Sequence, residues 1–376
     1  MKLSDFTRET GITIRPYQAR AIKAWLDSGR RGVIVMPTGA GKTYTALPII
    51  YAYYKAGASV LIATPTIALA RQWADKLRSI GINTGEAYTG HKLIGLVTVT
   101  VYNTMVMQGL KASLIVLDEA HHARTDTALG RYIDKLDAHI LGLTATPERS
   151  MVLRVVFHLG FTDLKGYVSN LRITPIPVRD YYTLYRIREV EKKISRVKSY
   201  MEDADVQERK SYERELQRLY ALRRIIASSS DIKKAKVVEL VKSLAREYPG
   251  ERIIVWTEST QVADELHKLI PGSTVIHSNI PPSERAEALE AFRRGESRIL
   301  IAVRILDEGI DLPEAGIGVF AGTGLIERRL IQRTGRVLRK THLREDAHIY
   351  FVYIEGSYEE RALNLLKHAT RDILLL

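Results

Sequence analysis

A glycine-rich turn between an apolar run and a helical pattern limits the fold of this chain more than any other feature. Residues 33–36 form the apolar run, and Thr45, Leu47 and Ile49 recur at helical spacing after the turn. The turn itself reads Pro37-Thr38-Gly39-Ala40-Gly41-Lys42-Thr43. A strand that enters a helix through such a turn is typical of a parallel α/β sheet.

The chemistry of this turn follows from its backbone. Glycines let the chain wrap closely around a phosphate, and the N–H groups at a helix amino terminus attract anions. We therefore predict that residues 37–42 bind nucleotide phosphates, with the Lys42 amine at the β/γ oxygens and the Thr43 hydroxyl on Mg²⁺. Met36 stands where the usual pattern begins with glycine. The alternative is a chance Gly-Lys-Thr sequence in an ordinary loop.

Short apolar runs and helical patterns alternate in two parts of the chain. In the first part the runs are 33–36, 60–63, 97–99, 114–117 and 140–143, and in the second they are 253–256, 274–276, 299–302, 317–320 and 349–352. Nearly continuous apolar runs favour parallel sheets that are covered on both faces. The sequence thus predicts an α/β fold with two parallel-sheet domains, at 1–165 and 249–376.

The segment between these domains, 166–248, has a different composition. From about 184 onward it is dense in Lys, Arg, Glu and Tyr and lacks Gly and Pro, and Tyr212, Leu216, Leu219 and Ile226 recur at helical spacing. We predict a linker followed by a helical hairpin. Such a hairpin could be a solvated spacer or could contact nucleic acid, and the sequence favours neither.

An acidic pair follows the run at 114–117. Asp118 is placed to bind Mg²⁺, largely through water, and Glu119 is the candidate base for an attacking water. Both could instead be ordinary helix-cap residues. His121 and His122 suggest a metal site, but no third ligand has suitable spacing, so we expect His121 to form hydrogen bonds that respond to the bound nucleotide.

A cation-rich segment lies in the second part of the chain. It reads Gln332-Arg333-Thr334-Gly335-Arg336-Val337-Leu338-Arg339. Arg336 and Arg339 lie three residues apart, on one face of a predicted helix. We expect them to act as arginine fingers that neutralise a transferred phosphoryl group, with Gln332 beside them.

Composition narrows the partners and the compartment. The 56 Lys and Arg exceed the 43 Asp and Glu, which gives a net charge of +13 and favours polyanionic partners. There are no cysteines, which excludes disulfides and cysteine-held metal clusters. No apolar stretch resembles a signal peptide or a membrane span, so we expect a cytoplasmic protein without membrane contact.

Together these motifs resemble the superfamily 2 helicases over nearly the whole sequence. The resemblance implies two RecA-like domains, an adenine-reading Q motif in Arg15, Tyr17 and Gln18, and nucleotide contacts by Gly309 and Asp311 of motif V. It also implies that His121, Thr144 and Thr146 couple hydrolysis to strand movement. The nucleic-acid contacts that it implies are Thr64, Pro65, Thr66, Arg71, Thr89, Gly90, Thr100, Thr257, His277, Ser278 and Arg285.

Within that superfamily the chain is most similar to the XPB helicases, with a DEAH-type Asp118-Glu119-Ala120-His121 motif. The Gln-Arg-x-Gly-Arg-Val-Leu-Arg form, residues 311–315 and the insertion at a thumb-like position carry the similarity. Two features depart from it. Residues 147–150 replace an Arg-Glu-Asp motif, and only fourteen residues precede Arg15, so an amino-terminal damage-recognition domain is not expected.

The resemblance implies an ATP- and Mg²⁺-dependent DNA helicase or translocase that acts in DNA repair as a monomer, mainly through backbone contacts to single-stranded or forked DNA. Three alternatives stay open at this point. They are an RNA-dependent ATPase, the motor subunit of a nuclease or restriction complex with a partner protein, and a non-catalytic binder with the same fold.

Overall fold

In the computed structural model, the described residues are 2–37, 39–88, 91–160, 162–164, 167, 170–303, 315–325, 330, 334 and 346–370. The chain divides into two compact units. The first runs from Met1 to Tyr167, and the second from Val168 to Asp307 and from Leu312 to Leu376. Each unit has its own sheet, which confirms the predicted fold class.

The first unit contains six α-helices among its described residues: α1 (Leu3–Thr10), α2 (Pro16–Asp27), α3 (Lys42–Lys55), α4 (Ile67–Arg78), α5 (Tyr102–Gln108) and α6 (Ala128–Asp134). Its strands are β1 (Arg31–Val35), β2 (Val60–Thr64), β3 (Thr84–Tyr88), β4 (His91–Leu93), β5 (Val97–Val101), β6 (Leu114–Asp118), β7 (His139–Thr144) and β8 (Val155–His158). Two short 3₁₀ helices span Ala120–His122 and Thr162–Leu164.

The first sheet has the strand order β4-β3-β5-β2-β6-β7-β1-β8, and every pair is parallel except β3 with β4. The five predicted strands of this part are confirmed and form its centre. Sequence patterns missed β3, β4 and β8, which lie towards the two edges, where strands are short or partly exposed and lack long apolar runs.

The second unit contains α7 (Tyr181–Asp203), α8 (Val206–Ser228), α9 (Asp231–Glu247), α10 (Thr260–Leu269), α11 (Pro282–Arg294) and α12 (Tyr358–Thr370). Its strands are β9 (Asn170–Val178), β10 (Ile253–Thr257), β11 (Ser273–Ile276), β12 (Ile299–Val303), β13 (Ile317–Phe320) and β14 (Asp346–Ile354). The strand order is β11-β12-β10-β13-β14-β9, with all pairs parallel.

The segment predicted as linker and insertion, 166–248, also supplies parts of the second sheet layer. β9 pairs with β14 over nine residues at the sheet edge. Pro175 and Pro177 hid this strand, since proline lacks the N–H of a central strand, but an edge position tolerates it. Val237, Val241 and Leu244 of α9 join the same core as the sheet.

The predicted helical hairpin is present as α7 and α8. Asp180 begins α7 by accepting the Thr183 N–H at Oδ1 (2.9 Å). Asp205 begins α8 by accepting the N–H groups of Gln207 (2.8 Å) and Glu208 (2.9 Å). One face of α7 is buried in the core of the unit, and the helix packs against α8 to form the hairpin.

Candidate functional site

The glycine-rich turn forms a tight loop at the start of α3. Gly39 and Gly41 have φ values of +85° and +81°, and Gly41 immediately precedes the helix. The backbone angle of Gly41 favours glycine, and a Cβ atom there would lie 2.6 Å from Nε2 of Gln18, so that this side chain would have to shift. The Lys42 amine donates to the carbonyl of Met36 (3.2 Å), which holds it inside the loop.

Met36 explains how the loop forms without its usual first glycine. Its side chain is fully buried, and its Sδ lies 3.6 Å from the Thr45 hydroxyl. Its N–H donates to the carbonyl of Thr144 (3.0 Å) at the end of β7. Met36 is not among the described residues with positive φ, so this position does not need glycine. Thr38 lies outside the described residues, and Thr43 is half-buried in the first turn of α3.

The predicted adenine-reading residues contact the phosphate loop directly. Gln18 donates from Nε2 to the Gly41 carbonyl (3.2 Å) and accepts the Arg15 N–H at Oε1 (2.8 Å). The Tyr17 hydroxyl donates to the Ala40 carbonyl (3.0 Å) and accepts from Nη1 of Arg15 (3.0 Å). The start of α2 therefore positions the loop as well as lying beside it.

Tyr167 is a further member of this cluster that sequence analysis missed. Its ring centroid lies 5.1 Å from that of Tyr17 in an edge-to-face arrangement, and the Arg15 guanidinium lies 5.7 Å from it. No local motif marks Tyr167, because 150 residues separate it from Tyr17 in the sequence. Its position beside Tyr17 could be recognised only once the fold was known.

Asp118 ends β6 and is buried. Its Oδ2 accepts the indole N–H of Trp73 (2.8 Å), and its Oδ1 accepts the N–H of Glu119 (3.1 Å). The Tyr102 hydroxyl donates to its carbonyl oxygen. Burial, and secondly the charge of Glu119, raises the pKa of the Asp118 carboxyl to about 6, although Trp73 and Lys42 act in the opposite direction. A divalent cation bound beside Asp118 would stabilise its ionised carboxylate and so oppose this rise in pKa.

Glu119 adopts a strained backbone. Its φ is +56°, which is uncommon for a residue with a Cβ atom, and such strain tends to occur at functional sites. Its Oε2 lies 3.3 Å from Nδ1 of His121. The left-handed turn directs the chain into the 3₁₀ helix Ala120–His122, and thereby brings His121 towards β7.

His121 joins the acidic pair to the end of β7. Its Nδ1 lies 3.0 Å from the hydroxyl of Thr144, and that hydroxyl also accepts the N–H of Thr146 (3.2 Å). His121 Nε2 and the Thr146 hydroxyl are buried, and neither has a hydrogen-bond partner among the residues that the structure describes. The three residues predicted to act together are thus in contact through Thr144.

Several of the residues predicted to contact nucleic acid have buried side chains, and their role stays a prediction. Thr64 donates its hydroxyl to the Thr66 carbonyl (2.8 Å), and Thr100 donates to the Ala87 carbonyl (2.6 Å). Both side chains are fully buried, because they close the ends of central strands. Thr66 accepts the Leu69 N–H (3.4 Å) and begins α4. Pro65 is half-buried and Arg71 is exposed.

The residues predicted to contact nucleic acid in the second unit also include both buried and accessible side chains. Thr257 is buried at the end of β10, and His277 is buried with its Nε2 2.9 Å from Oδ1 of Asp264. Ser278 is exposed and Arg285 is half-buried. Thr89, Gly90, Gly309, Asp311, Gln332, Arg336 and Arg339 lie outside the described residues.

No group of three or more His, Cys, Asp or Glu could hold a metal ion within the part of the chain that the structure describes. In the same part, no helix is long and apolar enough to cross a membrane. The cytoplasmic location stays a prediction.

The chain matches two protein families. Residues 11–149 match the family described as "Type III restriction enzyme, res subunit", and residues 233–341 match "Helicase conserved C-terminal domain". Each match contains the motifs of one predicted domain. The first includes the phosphate loop and the acidic pair, and the second includes the arginine-rich segment.

Curated relatives are similar over most of this chain. A protein of Sulfurisphaera tokodaii named "DNA 3'-5' translocase XPB2" is 31% identical over 361 residues, which cover 88% of this chain and 79% of the relative. A Haloarcula marismortui protein named "Putative DNA 3'-5' helicase Rad25" is 30% identical, with 93% of this chain and 54% of the relative covered. The chain thus spans about half the length of that second relative.

Solved structures share the fold at low sequence identity. The Hef helicase domain of Pyrococcus furiosus is 19% identical with a TM-score of 0.58, over 96% of this chain and 98% of that one. S. cerevisiae Dbp5 bound to RNA and ADP BeF3 is 17% identical with a TM-score of 0.65, over 98% and 91%. The predicted resemblance is confirmed: the chain belongs to the XPB group of superfamily 2 helicases, which are ATP-hydrolysing enzymes.

Proposed function

We propose that this protein is a DNA translocase or helicase that couples the hydrolysis of Mg²⁺-bound ATP to movement along DNA. One observation carries the proposal. The phosphate loop, the acidic pair and the His121–Thr144 contact lie at neighbouring strand ends of one parallel sheet, which is where ligands of such sheets bind.

In the hydrolytic step, the site residues of the first unit have different roles. Lys42 binds the β- and γ-phosphate oxygens, and the N–H groups of residues 39–43 surround the phosphates. Thr43 and Asp118 would hold Mg²⁺, whose charge would neutralise the phosphates and relieve the burial of the Asp118 carboxylate. Glu119 orients the attacking water and accepts its proton.

Coupling to movement is assigned to His121. Its Nδ1 lies 3.3 Å from the Glu119 carboxylate and 3.0 Å from the Thr144 hydroxyl, so a change in the charge or position of Glu119 alters the contact of the same nitrogen with Thr144. Thr144 in turn positions the backbone of Thr146. We propose that this chain of contacts transmits the state of the nucleotide to the segment after β7.

The remaining roles rest on motif identity. Arg336 and Arg339 act as the arginine fingers with Gln332 beside them, and Gly309 and Asp311 contact the nucleotide. Arg15, Tyr17 and Gln18 read the adenine. Residues 1–165 and 249–376 are the two RecA-like domains, joined by the linker and thumb-like insertion at 166–248.

The DNA contacts that we retain are those whose side chains are accessible or whose backbone can donate. They include Pro65, Thr66, Arg71, Ser278 and Arg285. Contacts of this kind address the phosphate backbone and give little sequence specificity. The names of the relatives support DNA as the track and 3'-5' as the direction. We also propose that the protein acts in DNA repair, as a monomer that can work with a nuclease or another repair protein.

The test is a measurement of phosphate release with and without nucleic acid. We expect ATP hydrolysis to rise when single-stranded or forked DNA is added, and to be lost in Lys42→Ala and in Glu119→Gln. Lys135→Ala is the matched control, since Lys135 is exposed and lies outside the site. Hydrolysis that is equal with and without every DNA would contradict the proposal.

RNA of identical sequence provides the second arm of this test. Backbone contacts alone discriminate DNA from RNA poorly unless the 2'-hydroxyl is bound. We expect stronger stimulation by DNA. Stronger stimulation by RNA would instead assign the protein to the RNA-dependent ATPases.

A further inference from the structure

Helix α7 exposes three tyrosines within its first five residues. Tyr181, Tyr182 and Tyr185 are 78%, 72% and 63% exposed. Aromatic side chains carry large apolar surfaces and are normally buried at least in part, so a cluster of exposed rings indicates a binding surface. None of the three tyrosines has a role in the proposed ATP site.

Core packing does not account for these tyrosines. The buried face of α7 consists of Ile187, Val190, Ile194 and Val197, which recur at helical spacing and belong to the hydrophobic core of the second unit. The three tyrosines lie outside this face. Their replacement would therefore remove exposed surface and leave the core intact.

Positive charge continues along the exposed side of the same helix. The Arg186 guanidinium lies 5.8 Å from the ring centroid of Tyr182. Farther along, a shallow and largely open depression of about 480 Å³, called the cleft below, is lined by Arg188, Glu191, Lys192, Ser195 and Arg196. Its three cations recur every fourth residue and so form one row.

The acidic residues of this region already have partners. Glu191 accepts from Nη1 of Arg223 (3.1 Å) and from Nη2 of Arg361 (3.1 Å). Asp180 is buried and accepts from the hydroxyls of Thr183 (2.7 Å) and Ser230 (2.6 Å). Glu189 accepts from Lys192 (2.7 Å) on the surface, which leaves Arg188 and Arg196 as the cations of the row that make no contact with it. The surface therefore has a positive excess.

We propose that the exposed side of α7, from Tyr181 to Arg196, binds single-stranded DNA, with the tyrosine rings stacked on bases and the cleft cations on phosphates. The inference rests on the proposed function, because it adds a subsite to that DNA-dependent enzyme. The sixteen residues from Tyr181 to Arg196 span about 22 Å along the helix axis, which is the length of about six nucleotides at a rise of about 3.4 Å each.

The chemistry of the surface favours an unpaired strand over a duplex. Base faces are available to tyrosine rings only where the bases are not stacked on neighbours in a duplex. Stacking of this kind tolerates any sequence, since every base has a π face. A row of cations beside exposed rings is the combination that binds both parts of a single strand.

The test compares two triple variants of the tyrosines in the full chain. The first is Tyr181→Ala/Tyr182→Ala/Tyr185→Ala, and the second replaces the same residues by Phe. Fluorescence anisotropy without nucleotide measures binding of labelled oligo(dT) of about 20 nucleotides and of a duplex of equal length. The control is Tyr200→Ala, which removes a tyrosine that is 60% exposed near the other end of α7.

We expect the alanine variant to bind oligo(dT) at least about tenfold more weakly, with duplex affinity changed by less than about twofold. The phenylalanine variant and Tyr200→Ala should match the wild type, because a phenyl ring still stacks. Unaltered oligo(dT) affinity in the alanine variant would overturn the inference. So would an equal loss for duplex, which would show that stacking on unpaired bases is not involved.

Salt dependence tests the cleft independently. Replacement of Arg188, Lys192 and Arg196 by Gln should lower the slope of log affinity against log salt by about 2 for a single strand, since each phosphate contact contributes about 0.7. The tyrosine variants should keep the wild-type slope. An unchanged slope in the glutamine variant would contradict the assignment of phosphates to the cleft.

The outcomes also separate this inference from the proposed function. If wild-type protein neither binds DNA nor hydrolyses ATP faster with DNA, the proposed function fails. If the wild type does both and the alanine variant is equal to it, only the α7 subsite fails. A change in sedimentation of the alanine variant, with DNA affinity kept, would show that the tyrosines contact a second copy of the chain and would overturn the inference.

Discussion

The buried carboxylate of Asp118 should make the free protein less stable at neutral pH. Its pKa is raised to about 6 in the folded chain, whereas an unperturbed Asp carboxyl has a pKa of 3.8. The folded state therefore binds more protons than the unfolded state between these values, and the free energy of unfolding falls as the pH rises through this window. A difference of about two pKa units corresponds to about 3 kcal/mol.

Asp118→Asn removes this cost while keeping most of the packing. The amide oxygen can still accept the Trp73 N–H, but the amide NH₂ then faces the N–H of Glu119 and loses that hydrogen bond. Loss of one buried hydrogen bond costs about 1–2 kcal/mol. We therefore expect the variant to be more stable by about 1–2 kcal/mol near pH 7.5 without Mg²⁺, while its ATP hydrolysis is lost.

The assay is urea unfolding in the presence of a chelator, at about pH 7.5 and about pH 5. Tryptophan fluorescence reports on the first unit through Trp25 and Trp73. The stability advantage of the variant should shrink by about 1.4 kcal/mol at the lower pH, to near zero, because the wild-type carboxyl is then mostly protonated in the folded state. Asp137→Asn, at an exposed position, is the control. A variant less stable than the wild type near pH 7.5, or an advantage independent of pH, would refute the reasoning.

Three further changes probe the loop, the coupling contact and the core. Gly41→Ala should weaken ATP binding measured by fluorescent-nucleotide titration, since alanine is strained in the left-handed backbone of this position and its Cβ would displace the Gln18 side chain; unaltered affinity would contradict this. His121→Ala should keep basal hydrolysis within about tenfold while reducing its stimulation by DNA, and equal stimulation would show that the ring does not couple the two. Lys233→Met should lower the free energy of unfolding by about 3–5 kcal/mol in a urea titration, because it leaves the buried Glu359 carboxylate without its ammonium partner at 2.7 Å; the added change Glu359→Leu should restore much of the loss, and no restoration would argue against the ion pair as the cause.

Local patterns predicted the central elements of the fold. The loop at 37–43 and the acidic pair at Asp118 and Glu119 are continuous in sequence, and each directly follows a buried strand whose apolar run is itself a strong signal. The ten predicted strands are all present for the same reason. Strand β9 was missed because its two prolines are tolerated only at a sheet edge, which is a property of the fold.

Contacts between distant residues could not be predicted in this way. The Gln18 side chain supports the Gly41 backbone, and Trp73 holds the Asp118 carboxylate, yet no spacing in the sequence relates these pairs. The burial of individual polar side chains could not be predicted from the sequence either. Thr64 and Thr100 occupy strand ends as predicted, but their hydroxyls donate to backbone carbonyls inside the unit, because a polar group at a buried position must find a partner.

Displacement of streptavidin from biotin-labelled single-stranded DNA tests the central claim most directly, because it detects movement that depends on ATP. With Mg²⁺ and ATP, we expect rapid displacement from the 5' end and little from the 3' end, and no displacement with Glu119→Gln. Equal, slow release from both ends with ATP, at the rate seen without it, would contradict the account of this protein as a DNA motor.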